Sequence, residues 1–341
     1  MSAELFIKQA GPALSIQDLG RSGHIAQGVS RGGAMDRLAL LEATALLSAV
    51  DPLAAIEMAG LGGTFNVSSA TRFALTGAPM RAHIDGVEIS WNGTHRLEEG
   101  QELRIGSARQ GVYGYLTFAG QIDTPEILGS RAAHLNVGLG ATLKPDDVIP
   151  LCADPDQNET LMCLPSDPRF QGGVLRVMNG PQTELFSIET RQSLCQTQFV
   201  RSNQANRQGI RLDHPTERFQ SDLAAALASD FVLAGDIQLT GEGIPYVLMA
   251  ECQTVGGYPR IGTIIPQDLP KLAQAPAGTR IQLQFLPEND VQVDRYSERR
   301  MLAKLRALVT PRIRDPKRIQ NLLSYQLISG VTAGDDLERT E

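Results

Sequence analysis

The sequence predicts a mainly β protein with some α, built as two β domains followed by a helical extension. Three observations carry this. Short runs of alternating apolar and polar residues recur between Phe65 and Gly120, broken by glycines and by Asp85-Gly86, as antiparallel strands joined by tight turns require. From Cys152 to Gln171 that pattern gives way to Asp, Pro and Asn, the composition of a connector, and 341 residues are enough for a core on either side of it. After Pro287 the periodicity becomes helical, with Met301, Leu302, Leu305, Leu308 and Val309 forming one stripe. The expected units are 1–168, 174–290 and a basic helical tail over 291–341.

Taken in order, the first distinctive segment is Leu14 to His24 with Gly28 to Asp36. Five glycines interleaved with Asp18, Arg21, Arg31 and Asp36 keep this backbone irregular, which suits either a polar ligand or a surface loop whose charges pair with one another. Met35 to Leu47 reads as a helix with one apolar face. The strands of the first domain follow, among them Arg72 to Ala78 and Gly114 to Gly120, and an antiparallel barrel or sandwich accommodates them equally. The second domain opens at Leu175 with a helical turn over Gln182 to Phe186. It continues through Phe199 to Leu212, Asp236 to Thr240 and two buried strands, Pro245 to Ala250 and Ile261 to Ile265. A helix is expected over Tyr296 to Val309, packed by one face on the barrel. The region from Arg295 to Arg318 is basic, and Gly334 to Glu341 is polar.

Composition narrows the function. A formal net charge of −7 argues against nucleic acid as the main partner, since phosphate binding needs a basic face. No apolar run reaches the roughly 18 residues of a membrane span, and Met1 to Lys8 has no secretory signal pattern, so a cytoplasmic protein is expected. The four cysteines and five histidines are scattered without ligand spacing, which points away from zinc and from disulfides. Cys252 reads as a small buried side chain.

Chemistry concentrates between the last two of those strands. Glu251, Gln253, Thr254, Tyr258 and Arg260 lie within ten residues, with Gly256 and Gly257 able to adopt positive φ or expose backbone N–H groups. A tight hairpin turning its polar residues to water would use the same residues. Arg207 and Arg211 offer planar forks suited to a carboxylate or oxyanion, and equally to surface ion pairs.

Several of these stretches together resemble the KipA-like family, also called allophanate hydrolase subunit 2 or the biotin-dependent carboxyltransferase domain family, which includes the 5-oxoprolinase C subunit. The resemblance rests on Ile16-Gln17-Asp18-Leu19-Gly20-Arg21, Gly33-Ala34-Met35-Asp36, Gly129-Ser130-Arg131, Arg176 to Gln182, Ser202 to Leu212 and Ala250 to Ile265. Ser22 and Ser30 stand where proline is usual, His24 where an aromatic is common and Gln208 where methionine is usual. Ala132-Ala133 replaces a Ser-Thr pair, and the loop Leu135 to Gly140 is compressed.

The resemblance implies two cyclophilin-like β-barrel domains working with a KipI-like partner, alone or together with a LamB-like third subunit. It also implies a small planar amide or lactam substrate, ATP used through the complex, or carboxybiotin carried by another chain. An amide needs charge stabilised on its oxygen and a base for its N–H or for water. On that basis Glu251 or Asp18 is the expected base, Gln253 and Thr254 fix the amide plane, and Arg21, Arg207 or Arg260 holds an oxyanion or phosphate. Gln17, Gly256, Gly257 and Tyr258 complete the substrate site. The first expectation is a subunit of an ATP-dependent amidohydrolase. The alternatives are a biotin-dependent carboxyltransferase subunit and a non-catalytic regulator that binds a KipI-like kinase inhibitor. Arg207 and Gln253 are expected to face the surface, so that alanine there costs no more than about 1 kcal/mol. The loops bearing Asp18, Arg207 and Gln253 are expected to share one cleft.

Overall fold

A computed structural model describes residues 3–156, 160–215, 219, 227–287 and 297–312. The first half forms two antiparallel sheets. One, of six strands, runs Val148–Leu151, Ala3–Ala10, Gly63–Val67, Leu103–Ala108, Met80–Ile84, Val87–Ile89. The other, of seven, runs Ser15–Gln17, Ala55–Ala59, Tyr113–Phe118, Thr71–Gly77, Gly93–Leu97, Met162–Cys163, Thr310–Pro311. Leu5, Ile7, Phe65 and Leu103 of the first sheet share a core with Ile56, Phe73, Leu75 and Phe118 of the second. Alternation is visible in Ala3–Ala10, where Ala3, Leu5 and Ile7 are buried and Glu4 and Lys8 exposed. Thr71–Gly77 and Tyr113–Phe118 are buried along their whole length, because helix α1 (Arg37–Leu46) covers the face turned away from the other sheet. Asp85-Gly86 makes the expected turn, with φ of +48° and +80°.

The second half closes into a seven-stranded barrel in the order Gly173–Met178, Arg260–Ile264, Asp236–Leu239, Pro245–Leu248, Gly209–Asp213, Gln198–Ala205, Arg280–Phe285. All its pairs are antiparallel except the first with the last. Its core, Leu175, Val177, Phe199, Ile210, Val247 and Ile261, is continuous with Ala34, Met35, Leu40 and Tyr115 of the first half. Helices α2 (Ile188–Gln196) and α3 (Leu269–Gln274) flank it.

Three expectations change. The helix after Gly33 starts at Arg37 because Asp36 caps it, its carboxylate accepting from Ala39 N–H at 3.2 Å. The stretch from Cys152 to Gln171 is more than a connector. Asp154 pairs with Arg72 at 2.7 Å, and buried Arg169 bonds Asp36 and Glu42, both at 2.7 Å. The C-terminal helix α4 (Glu298–Leu308) packs on α1, not on the barrel: Leu302 and Leu305 bury against Leu41 and Ala45, and Glu298 accepts from Arg31 and Arg37. The expected frayed end, Gly334 to Glu341, lies outside the described residues, as does the stretch 313–318 of the basic region. No described helix is long and apolar enough to cross a membrane.

Candidate functional site

Four segments converge where the two halves meet. Gly32 N–H donates to Ala250 O at 3.0 Å, Arg207 Nη2 to Gly33 O at 2.6 Å, Leu135 N–H to Glu251 Oε2 at 3.1 Å and Asn136 Nδ2 to Glu251 O at 2.7 Å. Gly33 has φ of +81°, and a Cβ there would lie 2.6 Å from Gly20 N, so the glycine loop can fold back on itself only without a side chain.

At the centre is Arg207. Its Nε meets Glu251, its Nη1 meets Glu57 and its Nη2 meets Gly33 O, with 15% of the side chain exposed. Burial opposes the charge, but the two carboxylates outweigh it and hold the guanidinium more firmly protonated than usual. The surface-facing expectation for Arg207 is therefore corrected. Glu57 Oε2 also accepts the Tyr115 hydroxyl at 2.7 Å and Met35 N–H at 2.8 Å. Tyr115 accepts from Asp36 N–H at 2.8 Å, and Asp36 accepts from Arg169 and Gln274, both at 2.7 Å. Burial, with Glu57 beside it, drives the Tyr115 phenol well above its ordinary pKa, so it stays a donor. A continuous buried polar chain thus runs from Arg207 to Glu42.

The glycine-loop residues are also heavily engaged. Asp18 Oδ1 accepts Gly20 N–H and the Ser130 hydroxyl, and Oδ2 accepts Arg131 N–H, each at 2.7 Å. Arg21 is buried, donating Nε to Ile127 O at 3.3 Å and Nη2 to Ala132 O; its Nη1 has no partner among the described residues, and burial lowers its pKa. Gln17, also buried, donates to Ser15 Oγ at 2.9 Å and Ala133 O at 3.3 Å. His134 shares a 2.8 Å hydrogen bond with Ser30 and lies 3.8 Å from Glu251; burial favours its neutral form.

On the other side of the Arg207 turn lies a cavity of about 370 Å³. Its lining includes five carboxamides, Gln204, Asn206, Gln208, Gln238 and Gln253, and three hydroxyls, Thr240, Tyr246 and Tyr258, with no charged side chain among the described residues. Gln253 Nε2 donates to Gln238 Oε1 at 3.2 Å, and buried Gln238 Nε2 has no partner among the described residues. A Cβ on Gly256 would come within 2.5 Å of that nitrogen. Gly256 is thus needed for close approach and not for positive φ, which neither it nor Gly257 adopts. Thr254 is buried, its carbonyl accepting Val232 N–H at 3.1 Å. Arg260 is buried among Asp230, Asp236 and Phe231 O, so its guanidinium braces the ribbon of Asp230–Phe231 and Val255–Gly256. Burial raises the Cys252 thiol to about 12. A larger hollow of about 630 Å³ between α2 and Phe285 is mostly apolar and holds none of the expected site residues.

The expected residues therefore fall into two adjoining groups. Arg207 and Glu251 knit the junction, with Gln17, Asp18 and Arg21 bracing the glycine loop on its first-half side, whereas Gln253 and Tyr258 line the cavity with Gly256 behind Gln238. Asn206 and Gln208, flanking Arg207, belong to the cavity and join the two groups. Sequence reasoning missed Glu57, Tyr115 and Gln238. A signal existed for two of them, a lone acid in the buried run Ala55–Ala59 and a lone amide in the fully buried strand Asp236–Leu239. A carboxamide offers donor and acceptor in one plane, so paired carboxamides match the edge of another amide.

Comparison with known proteins gives three findings. The family model described as carboxyltransferase domain, subdomain A and B, matches residues 27–285. The chain is 33% identical to the 5-oxoprolinase C subunit of Escherichia coli over 81% of this chain and 89% of that protein. It is 28% identical to the corresponding 5-oxoprolinase C subunit of Haemophilus influenzae over 86% and 95%. The crystal structure of the K. lactis urea amidolyase superposes with a TM-score of 0.77 at 21% identity, covering 92% of this chain and 21% of that one, a likeness of fold.

Proposed function

The chain belongs to the carboxyltransferase-domain family, and from that premise we propose that it is a subunit of an ATP-dependent, amide-hydrolysing complex of the 5-oxoprolinase kind. The observation that supports this reading is the uncharged, carboxamide-lined cavity beside the signature loop. A lactam presents one N–H and one C=O on a single edge. Gln238 Nε2, buried and unpartnered, suits the carbonyl, and the Gln253 amide beside it completes a matching edge. Tyr258 and Tyr246 add apolar walls with polar tips.

In this reading Arg207, Glu57 and Glu251 are positioning residues. Their hydrogen bonds hold the Asn206–Gln208 turn, and so two cavity carboxamides, against the first half. Asp18 and Arg21 position the glycine loop in the same way. Thr254 and Arg260 shape the ribbon that carries Val255–Gly256. Among the described residues the cavity lining offers no carboxylate to accept a proton and no cation to hold a triphosphate, while Arg207 is committed to Glu57, Glu251 and Gly33. The described lining of this cavity thus does not fit ATP. ATP and the proton acceptor are assigned to a KipI-like partner subunit, whose docking completes the site.

A second reading, a biotin-dependent carboxyltransferase subunit, is favoured by the family match itself, and a ureido edge offers the same donor–acceptor pattern as a lactam. The test is ADP release by the complex purified with its partner subunits. With 5-oxoproline it rises above background if the first reading holds. Carboxyl transfer from carboxybiotin to urea, which releases no ADP and is followed as loss of carboxybiotin, supports the second, and no turnover of either kind favours a regulatory role.

A further inference from the structure

Among the described residues the cavity lining holds no charged side chain, but a guanidinium stands directly behind it. Arg211, in the strand Gly209–Asp213 and opposite Tyr246 in register, donates Nη1 to Gln204 Oε1 at 3.2 Å. The Tyr246 hydroxyl donates to that same oxygen, also at 3.2 Å. Gln204 and Tyr246 both line the cavity, so Arg211 is one side chain removed from it. Its own counterion is Asp213 at 2.7 Å, with side chains 29% and 43% exposed respectively. A pair this open holds itself together weakly, so the guanidinium can engage a second carboxylate at small cost. Arg207, the guanidinium on the turn between cavity residues Asn206 and Gln208, cannot take that role, because Glu251, Glu57 and Gly33 O occupy its three nitrogens.

We infer that Arg211 is the specificity-determining residue that selects an amide carrying a negatively charged substituent over an uncharged amide. The inference rests on the reading of the cavity as the amide site. The ring amide is matched by Gln238 and Gln253, and the carboxylate reaches past Gln204 and Tyr246 to Arg211, where a planar fork of N–H donors meets it. An uncharged amide such as urea or 2-pyrrolidone makes the same edge contacts and gains nothing from the guanidinium. Selection between the two kinds of substrate is thereby made by charge just behind a neutral lining.

Binding is measured by calorimetry on the complex, with 5-oxoproline and with 2-pyrrolidone, the same ring without its carboxylate. The native protein is expected to bind 5-oxoproline at least tenfold more tightly, and this preference should shrink as salt is added. In Arg211→Gln the preference falls to within about twofold while 2-pyrrolidone binding is unchanged, and Arg211→Lys retains part of it. Gln253→Ala weakens both lactams alike. If both lactams bind the native protein equally, or if Arg211→Gln keeps the tenfold preference, the assignment of Arg211 is wrong while the amide cavity stands. If neither lactam binds, or Gln253→Ala leaves both affinities unchanged, the amide cavity itself is refuted and the inference falls with it. Should Arg211→Gln melt early, Arg211→Lys and the salt dependence of the native protein decide the matter by themselves.

Discussion

Replacing Arg207 by methionine separates a positioning role from a surface role. Glu57 and Glu251 are each only 2% exposed, and both meet this one guanidinium. Removing one partner of a buried ion pair typically costs about 3–5 kcal/mol, because the charge left behind has neither water nor a counterion. Here two carboxylates and the Gly33 carbonyl lose their donor together, so the upper end of that range, about 5 kcal/mol, is expected. Against a domain stability of roughly 5–15 kcal/mol, this leaves a marginal fold. The assay is urea denaturation followed by tryptophan fluorescence, Trp91 being the single reporter, with the slope held constant between variants. Adding Glu57→Gln and Glu251→Gln to Arg207→Met should recover most of the loss, since neutral amides need no counterion. A cost below about 1 kcal/mol for Arg207→Met, or no recovery in the triple variant, would refute the account of the junction.

Other outcomes follow from the structure. Cys252, its thiol raised to about 12, should resist iodoacetamide in the native protein while exposed Cys152 reacts, as peptide mapping will show. Burial and Arg312 lower His95 to about 4. Its neutral form belongs to the folded state, so stability is fully present above about 6.5, the unfolded value, and is lost as pH falls from there towards about 4, by up to roughly 3 kcal/mol. His95→Gln should flatten that slope in pH-dependent denaturation. Leu305→Ala should loosen α4 from α1 at a cost of about 2–3 kcal/mol, whereas Glu298→Gln, at a partly exposed ion pair, should cost under about 1 kcal/mol in the same assay.

Much of the architecture was legible because period-two strands and glycine turns are local signals. The Asp85-Gly86 hairpin and the strands around the signature formed where expected, with boundaries moved by a residue or two. Helix α2 left no such signal: Leu194 is its one buried residue and Ile188 faces solvent, so no apolar stripe marks it. The site was legible as a set of residues and illegible as a geometry. Glu251 and Gln253 are two positions apart, yet one bonds Arg207 at the junction and the other lines the cavity. Local spacing does not say which way each side chain turns once the chain leaves its strand. Arg207 read as an exposed clamp because its partner Glu57 lies 150 residues away, beyond the reach of any local pattern.

The most direct test of the amide cavity is ADP release by the complex with saturating 5-oxoproline, native against Gln253→Ala, with melting temperatures measured in parallel. The account predicts a loss of roughly 10- to 100-fold, the cost of one unmade buried hydrogen bond or two, with stability unchanged within about 1 kcal/mol. Undiminished turnover in Gln253→Ala, or a loss matched by early melting, would contradict it.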